Sequence, residues 1–151
     1  MDTGNGLLEP HGGYRNLKSY QTTEIIYDAT VVFCGRFVDR FSRTRDQMVQ
    51  AARSGKQNIA EGSQASGTSK RTEIKLVNVA RASLEELLQD FLDHLRLAGL
   101  QAWDKEDPRA KEVRGLAYKS NRSYSTYRTY FEERTAEEAA NCAICLIHQA
   151  N

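Results

Sequence analysis

The sequence contains little proline and no long apolar run, and each scarcity limits the possible folds. Only two prolines occur in 151 residues, Pro10 and Pro108. Because proline interrupts helices, the stretch between them is free to form long helices. No run approaches the roughly 18 consecutive apolar residues that indicate a membrane-spanning helix. The sequence therefore predicts a helical protein without a transmembrane segment.

Cysteine is scarce as well, and no secretory signal is visible. The three cysteines, Cys34, Cys142 and Cys145, are an odd number and do not suggest a disulfide framework. Residues 1–6 have neither the basic region nor the apolar run of a signal peptide. We expect a cytoplasmic protein with an N-terminal lead over residues 1–19 and a single helical-bundle domain over residues 20–151.

A strong net charge is also absent, but the two parts of the chain differ in sign. The formal net charge is +1. Residues 1–82 hold 12 Lys and Arg against 8 Asp and Glu, whereas residues 83–151 hold 9 against 12. The whole molecule therefore lacks the high positive charge typical of nucleic-acid-binding proteins. The basic first part gives weak support to an anionic partner.

The chain does show helical periodicity and the signals that start helices. Apolar residues recur every three or four positions over most of the sequence. Thr44 with Gln47 three residues later indicates one helix start. Thr135 with Glu138 indicates another, and Asp107 followed by proline indicates a third. The predicted helices cover about residues 20–42, 44–62 and 69–98, a shorter one begins at 107, and the last runs from 135 to 151.

Two residues stand out on the faces of these predicted helices. Gly55 lies on the apolar face of the second helix and costs about 1 kcal/mol relative to alanine in a helix interior. We expect Gly55, with Ala52, to allow close approach of another helix. Arg81 falls among the apolar residues of the third helix, so its charge must be paired or must point into an interface. We predict a structural ion pair between Arg81 and Glu61, or a contact of Arg81 with a neighbouring subunit.

Three sequence elements are characteristic of a known family. They are Asn16-Leu17-Lys18-Ser19-Tyr20-Gln21, Asn58-Ile59-Ala60-Glu61-Gly62 and Ala80-Arg81-Ala82-Ser83-Leu84-Glu85-Glu86-Leu87. In this order and spacing they resemble the bacterial four-helix-bundle family encoded in intervening sequences of 23S ribosomal RNA genes. The accessory variability proteins of diversity-generating retroelements are similar. The resemblance covers roughly residues 14–100, and Trp103–Arg134 looks like an insertion of a sub-branch with an extended C-terminal part.

The resemblance implies both a fold and a manner of action. It implies an all-α, antiparallel up-down four-helix bundle with an extra helical insertion before the last helix. It also implies a ring, a homopentamer, without enzymatic activity or cofactor. In the retroelement branch, the positive surface of the ring engages nucleic acid and a reverse transcriptase. The implied partners are therefore further copies of the chain, RNA or DNA, or a reverse-transcriptase-like protein.

Six basic residues are candidates for nucleic-acid binding, because Lys and Arg can neutralise phosphates without reading base sequence. Arg45, Arg53 and Lys56 share one face of the second helix at about 100° per residue. The other three open the third helix and are Lys70, Arg71 and Lys75. The competing interpretation is an ordinary solvated helix face on a homo-oligomeric protein-interaction scaffold that binds no nucleic acid.

Aromatic and basic residues alternate between Tyr118 and Phe131. The set comprises Tyr124, Tyr127, Tyr130 and Phe131, with Arg122 and Arg128 between them. Such a pattern can stack on and neutralise single-stranded nucleic acid. Tyrosines spaced by three residues are nevertheless more typical of packing against another helix or subunit.

Catalytic and metal sites have weaker support. Cys142 and Cys145 have the spacing of a redox motif, and His148 could join them around a metal. Within one helix, however, Cys142 and His148 diverge by about 120°, so we expect structural cysteines. Asp90 and His94 do not provide the Glu-x-x-His pairs of a di-iron bundle. We therefore expect no catalytic residue and no bound metal.

Overall fold

The computed structural model describes residues 17–151, and this part of the chain is all-helical, without a β-strand. The helices are α1 (Lys18–Phe37), α2 (Arg43–Ala65), α3 (Lys70–Leu97), α4 (Pro108–Gly115), α5 (Tyr124–Glu132) and α6 (Ala136–Ala150), and a 3₁₀ turn (Leu116–Tyr118) follows α4. None of these helices is long and apolar enough to cross a bilayer. The all-α prediction is thus confirmed, whereas most of the predicted N-terminal lead falls outside the described residues.

Side-chain caps set the helix starts, largely as the local sequence predicts. The Thr135 hydroxyl accepts from the Glu138 amide, and the Glu138 carboxylate accepts from the Thr135 amide, which is the predicted capping box. Asp107 caps α4 at the predicted place. The predicted start of α2 is wrong by about two residues. Ser42 is its N-cap, because the Ser42 hydroxyl accepts from the Thr44 amide.

α2 and α3 form an antiparallel hairpin in which glycines allow a close approach. A Cβ atom on Gly55 would lie 2.8 Å from Leu84 Cδ2, too close for an ordinary contact. A Cβ atom on Gly62 would lie 3.5 Å from Leu76 Cβ. Contacts therefore run in opposite directions along the two helices, and the predicted close approach at Gly55 is confirmed.

α1 packs antiparallel to α2 and completes the core with α3 and α6. Cys34 Sγ lies 3.9 Å from Met48 Sδ, and Lys56 Nζ lies 4.6 Å from the centre of the Tyr27 ring. α6 contacts both α1 and α3. The largest fully buried side chains are Ile26, Phe33, Met48, Leu84, Leu87, Phe91, Leu95, Val113, Tyr127, Phe131, Leu146 and Ile147.

The segment before α6 packs onto the long helices through aromatic residues. Tyr127, Tyr130 and Phe131 of α5 are buried, and α5 contacts α1. Arg36 Nη1 of α1 donates to the Phe131 carbonyl oxygen at 2.6 Å. The packing interpretation is therefore confirmed for these three aromatics. Tyr118, by contrast, is 91% exposed.

Asn141 of α6 attaches the loop that joins α3 to α4. The Trp103 amide donates to Asn141 Oδ1 at 2.7 Å. Asn141 Nδ2 donates to the Gln101 carbonyl oxygen at 2.8 Å. Because Asn141 is itself buried, these two bonds hold the loop against α6 and set the place of the Trp103 ring.

Replacing Asn141 by alanine is expected to lower the free energy of unfolding by about 2 kcal/mol, since the Trp103 amide and the Gln101 carbonyl lose their partner. Chemical denaturation followed by the fluorescence of Trp103, the sole tryptophan, measures the change. Asn78→Ala is the matched control, because Asn78 is exposed on α3, and it should change stability by less than about 0.5 kcal/mol. Equal losses in both variants would contradict this role of Asn141.

Candidate nucleic-acid interface

Three of the predicted basic residues lie together on the first two turns of α3. Lys70, Arg71 and Lys75 are all exposed. Lys70 Nζ lies 3.2 Å from Glu73 Oε1, yet the Lys70 side chain is 80% exposed. Arg71 and Lys75 make no ion pair within residues 17–151. At least two positive charges here are thus free to meet an anionic partner.

Arg53 and Lys56 lie in the middle of α2 and differ in their surroundings. Arg53 is exposed, whereas Lys56 is half-buried against α1. Its ammonium lies over the Tyr27 ring, a cation–π contact. Burial and Glu24 raise the pKa of Asp28, and the Lys56 charge partly offsets that rise. Lys56 is therefore partly engaged inside the molecule, and Arg53 is the freer of the two.

Arg45 lies at the opposite end of the hairpin from Lys70. About 20 residues of α2 separate Arg45 from Ala65, which corresponds to about 30 Å at the helical rise. Arg45 is close enough to Cys34 for its charge to lower the pKa of that thiol, against the larger effect of burial. The six predicted residues therefore do not form one compact patch. The structure gathers Lys70, Arg71 and Lys75 and separates Arg45 from them.

Two further basic residues at this end, Lys18 and Lys119, were missed by sequence reasoning. Lys18 begins α1, which runs antiparallel to α2 and thus starts near the α2–α3 turn. Lys18 lines a surface depression together with Tyr118 and Lys119. Tyr118 and Lys119 are exposed, and they pair an aromatic ring with a positive charge, as stacking platforms do. The neighbouring aromatic and basic residues Tyr118 and Lys119 are visible in the sequence. That they lie beside the start of α1 depends on the tertiary fold.

The second half of α3 carries the opposite charge. Glu85, Glu86 and Asp93 are exposed, and Asp90 is half-buried. Burial, Asp93 and Glu86 raise the pKa of Asp90, in that order. α3 therefore has a basic first half and an acidic second half. A polyanion would be attracted to the first half of α3 and repelled from its second half.

The ion pair predicted between Glu61 and Arg81 does not form. Both residues are exposed, and neither makes an ion pair within the described part of the chain. The prediction placed Arg81 on the core face of α3, but the buried face is centred on Leu84, Leu87 and Phe91. Arg81 lies on the flank of that face and therefore reaches solvent in the single chain.

The cysteines behave as structural residues. All three are free, Cys34 and Cys142 are buried, and Cys145 is half-buried. Burial raises the pKa of Cys34 to about 11 and raises the pKa of both other thiols, which disfavours the reactive thiolate. Within residues 17–151, no three His, Cys, Asp or Glu side chains are grouped as a metal site would require.

Comparison with known proteins identifies no relative: no protein-family model, no curated protein and no protein of solved structure matches this chain. Its fold and surface define it as an all-helical protein with a basic end at the α2–α3 turn. The resemblance carried by the three sequence elements stays a prediction.

Proposed function

We propose that this chain is a non-catalytic helical-bundle protein that binds nucleic acid, or the nucleic acid of a ribonucleoprotein partner, as an accessory factor. In this proposal α1, α2, α3 and α6 form an antiparallel up-down four-helix bundle. The antiparallel contacts of α2 with α1 and α3, together with the contacts of α6 with α1 and α3, support that arrangement. The segment from α4 to α5 is the insertion.

The observation that carries the proposal is the basic end of α3. Lys70, Arg71 and Lys75 are exposed within two helical turns, and Arg71 and Lys75 have no carboxylate partner in the described chain. Charges of this kind release counterions when they neutralise phosphates. Contacts of Lys and Arg with phosphates carry no sequence information, so we expect affinity without sequence specificity.

Assembly into a ring, a homopentamer, is part of the proposal and follows from the resemblance. Ile74 of α3 is 53% exposed and lies on the same face of the helix as Arg81, seven residues later, which supports a contact between copies. Arg81 lies on the same helix and is free to reach a neighbouring copy. A ring would repeat the basic end once per subunit, so that weak phosphate contacts would add up through multivalency.

A second candidate function is a homo-oligomeric protein-interaction scaffold without nucleic-acid binding. Exposed apolar side chains at the other end of the hairpin favour it. Phe41 is 84% exposed in the turn between α1 and α2, and Leu97 is 75% exposed at the end of α3. Large exposed apolar groups of this kind occur at protein–protein contacts. In this case the basic residues have no binding role and simply form a solvated surface.

Salt-dependent binding separates the two functions. Fluorescence-anisotropy titrations with a structured RNA and with duplex DNA, each at several salt concentrations, give the affinity and its salt slope. We expect binding that weakens steeply with salt. The double variant Arg71→Glu/Lys75→Glu should bind about tenfold more weakly, and its salt slope should fall by about 2, one for each lost phosphate contact.

The control variant carries the same change of charge elsewhere. Lys105→Glu/Lys111→Glu alters two exposed residues of the α3–α4 loop and of α4 and should leave the slope unchanged. An equal loss in both double variants would show a net-charge effect and contradict the proposed interface. Absence of binding at low salt, with a defined oligomer in analytical ultracentrifugation, would favour the scaffold. A monomer at high concentration would contradict the ring.

A further inference from the structure

The surface depression that Lys18 lines has a volume of about 390 Å³ and lies between the first turn of α1 and the segment that joins the 3₁₀ turn to α5. Volumes of about 300–1,000 Å³ are common for small-molecule sites. Asn121 has a φ of 57°, a left-handed conformation that asparagine tolerates, so the segment turns sharply at the depression. Three cations line the depression, and no carboxylate of the described residues joins them. They are Lys18, Lys119 and Arg122.

None of these three cations has a carboxylate partner within residues 17–151. Lys18 and Lys119 are exposed, and neither makes an ion pair in this part of the chain. Arg122 is half-buried, and it makes no ion pair there either. Partial burial penalises an unpaired charge, so a half-buried guanidinium normally lies beside an anion. The depression therefore offers three positive charges to an anion from outside the molecule.

Hydrogen bonds to three helices hold the Arg122 guanidinium in place before any ligand arrives. Nη2 donates to Thr22 Oγ1 of α1 at 2.5 Å. Nη1 donates to the Tyr127 hydroxyl of α5 at 3.2 Å and to Gln149 Oε1 of α6 at 3.3 Å. The Thr22 hydroxyl in turn donates to the Lys18 carbonyl oxygen at 2.8 Å, which places the guanidinium beside the first turn of α1. All of its acceptors are neutral, so its charge stays uncompensated.

Donors of the depression remain accessible to a ligand. The three hydrogen bonds leave two of the five guanidinium N–H donors of Arg122 unused. Arg122 Nε has no acceptor within the described residues and is not buried. The ammonium groups of Lys18 and Lys119 are on exposed side chains. Ser120 and Asn121, both exposed, add a hydroxyl and an amide, so charged and neutral donors lie side by side.

A phosphate group matches this combination of charge and donors. A phosphomonoester carries about −1.5 to −2 charges at pH 7 and presents three strong acceptor oxygens. Two ammonium groups and a guanidinium neutralise such a dianion, and their hydrogen bonds to it are charge-assisted. Arginine and lysine are also the residues that proteins use most for phosphate. A monovalent carboxylate would leave much of the positive charge of the depression uncompensated.

Tyr118 supplies an aromatic surface next to the cations. Its side chain is 91% exposed, so the ring is accessible for stacking on a planar group. We propose that the depression binds the phosphomonoester of a nucleotide, with the phosphate among Lys18, Lys119 and Arg122 and the base on the Tyr118 ring. The nucleotide is either free or the 5′-phosphorylated end of a strand. The inference does not rest on the proposed function, because a free nucleotide would bind here without any contact of nucleic acid with α3.

Two pairs of probes test the requirement for phosphate and distinguish the two sources. Calorimetric titration of the full chain compares adenosine 5′-monophosphate with adenosine. Fluorescence anisotropy compares a short single strand that carries a 5′-phosphate with the same strand that ends in a 5′-hydroxyl, both labelled at the 3′ end. We expect the phosphorylated member of at least one pair to bind about tenfold more tightly, the effect of one or more charge-assisted hydrogen bonds.

Each pattern of results has a definite meaning. A preference for the phosphorylated strand identifies the end of a strand as a ligand. A preference confined to adenosine 5′-monophosphate over adenosine identifies a free nucleotide. No preference for phosphate in either pair would overturn the proposal.

Removal of the two exposed lysines tests the site without disturbing the buried contacts of Arg122. Lys18→Gln/Lys119→Gln should remove most of the preference for phosphate, about tenfold, because only the guanidinium remains. Lys105→Gln/Lys111→Gln removes the same charge at exposed positions outside the depression and should preserve the preference. Equal effects of the two double variants would overturn the assignment.

Substitutions at Tyr118 test the place of the base. Tyr118→Ala should weaken binding of the preferred phosphorylated probe about tenfold, because the stacking surface is lost. Tyr118→Phe keeps the ring and should bind as the unchanged chain does. Equal affinity of these two variants would overturn the place assigned to the base.

The basic end of α3 is tested separately from the depression. Arg71→Glu/Lys75→Glu should weaken binding of both strands and leave the ratio of their affinities unchanged. If no strand binds at all, the proposed function fails, whereas a preference for adenosine 5′-monophosphate over adenosine would still support this site. A preference for phosphate that disappears in Arg71→Glu/Lys75→Glu and persists in Lys18→Gln/Lys119→Gln would place the phosphate on α3 and overturn the inference.

Discussion

Replacing Phe33 by alanine is expected to lower the free energy of unfolding by about 3–5 kcal/mol. The side chain is fully buried in α1 and meets the Phe91 ring of α3 edge-on, with centroids 5.0 Å apart. It also contacts His94, at 5.0 Å, and Phe37, at 5.1 Å. Removal of the ring leaves a cavity at the junction of α1 and α3, because backbone packing relaxes only partly. Urea denaturation measures the loss.

The chain offers a matched control of the same residue type. Phe41 is 84% exposed in the turn between α1 and α2, and Phe41→Ala should change the stability of the monomer by less than about 0.5 kcal/mol. Similar losses for Phe33→Ala and Phe41→Ala would contradict the described core. If Phe41 lies in a contact between subunits, its replacement should instead weaken oligomerisation, which sedimentation at several concentrations detects.

Replacing Gly55 by valine is expected to destabilise the chain by about 3 kcal/mol. The new Cβ atom would lie 2.8 Å from Leu84 Cδ2 and 3.0 Å from Leu84 Cγ. Leu84 is itself buried and cannot move aside freely. Overpacking of this kind outweighs the few tenths of a kcal/mol that valine gains over glycine in helix propensity. Thermal unfolding followed by circular dichroism measures the effect.

Gly35 is the matched control for Gly55. It also lies inside a helix, but nothing surrounds its position within 4 Å. Gly35→Val should therefore be neutral or slightly stabilising. The clash can be tested further with Leu84→Ala, which is costly alone but should relieve the strain of Gly55→Val. We expect the double variant to be more stable than the sum of the single losses by about 1–2 kcal/mol. Strict additivity would contradict a direct clash.

The α2–α3 hairpin links these stability predictions to the proposed function. Lys70, Arg71 and Lys75 are carried on the first turns of α3, directly after the turn. The close contacts of Gly55 with Leu84 and of Gly62 with Leu76 hold α3, the helix that carries this basic end, against α2. A variant that loosens the hairpin should lose affinity for nucleic acid together with stability. A charge reversal should lose affinity alone.

Several elements could be predicted because their causes are local. The capping box of Thr135 and Glu138, the Asp107 cap and the glycine contact at Gly55 depend on residues a few positions apart or on a missing side chain. Hydrogen bonds to helix ends and the 3.6-residue period are properties of the chain itself. The start of α2 was misplaced because Ser42 and Thr44 are both good caps, and local sequence does not choose between them.

Other features required knowledge of which helix covers which face. Arg81 lies about 60° from Leu84 on the helical wheel, at the edge of the apolar stripe. The stripe alone does not tell whether such a flanking position is covered, and in the structure it is exposed. The sequence likewise proposed six basic residues as nucleic-acid contacts without fixing their distances, and the structure places Arg45 at the other end of the hairpin from Lys70.

The amino-acid sequence by itself determined five of the six described helices, the caps of α4 and α6 and the close approach at Gly55, since these follow from backbone hydrogen bonding, side-chain period and the absence of a Cβ atom. Tertiary structure alone decided that Lys18 and Tyr118 lie at the same end as Lys70. It alone decided that Arg81 reaches solvent, and that Lys18 and Arg122 border one depression. These arrangements bring together residues that are far apart in the chain. They depend on how helices pack in three dimensions, which no local pattern specifies.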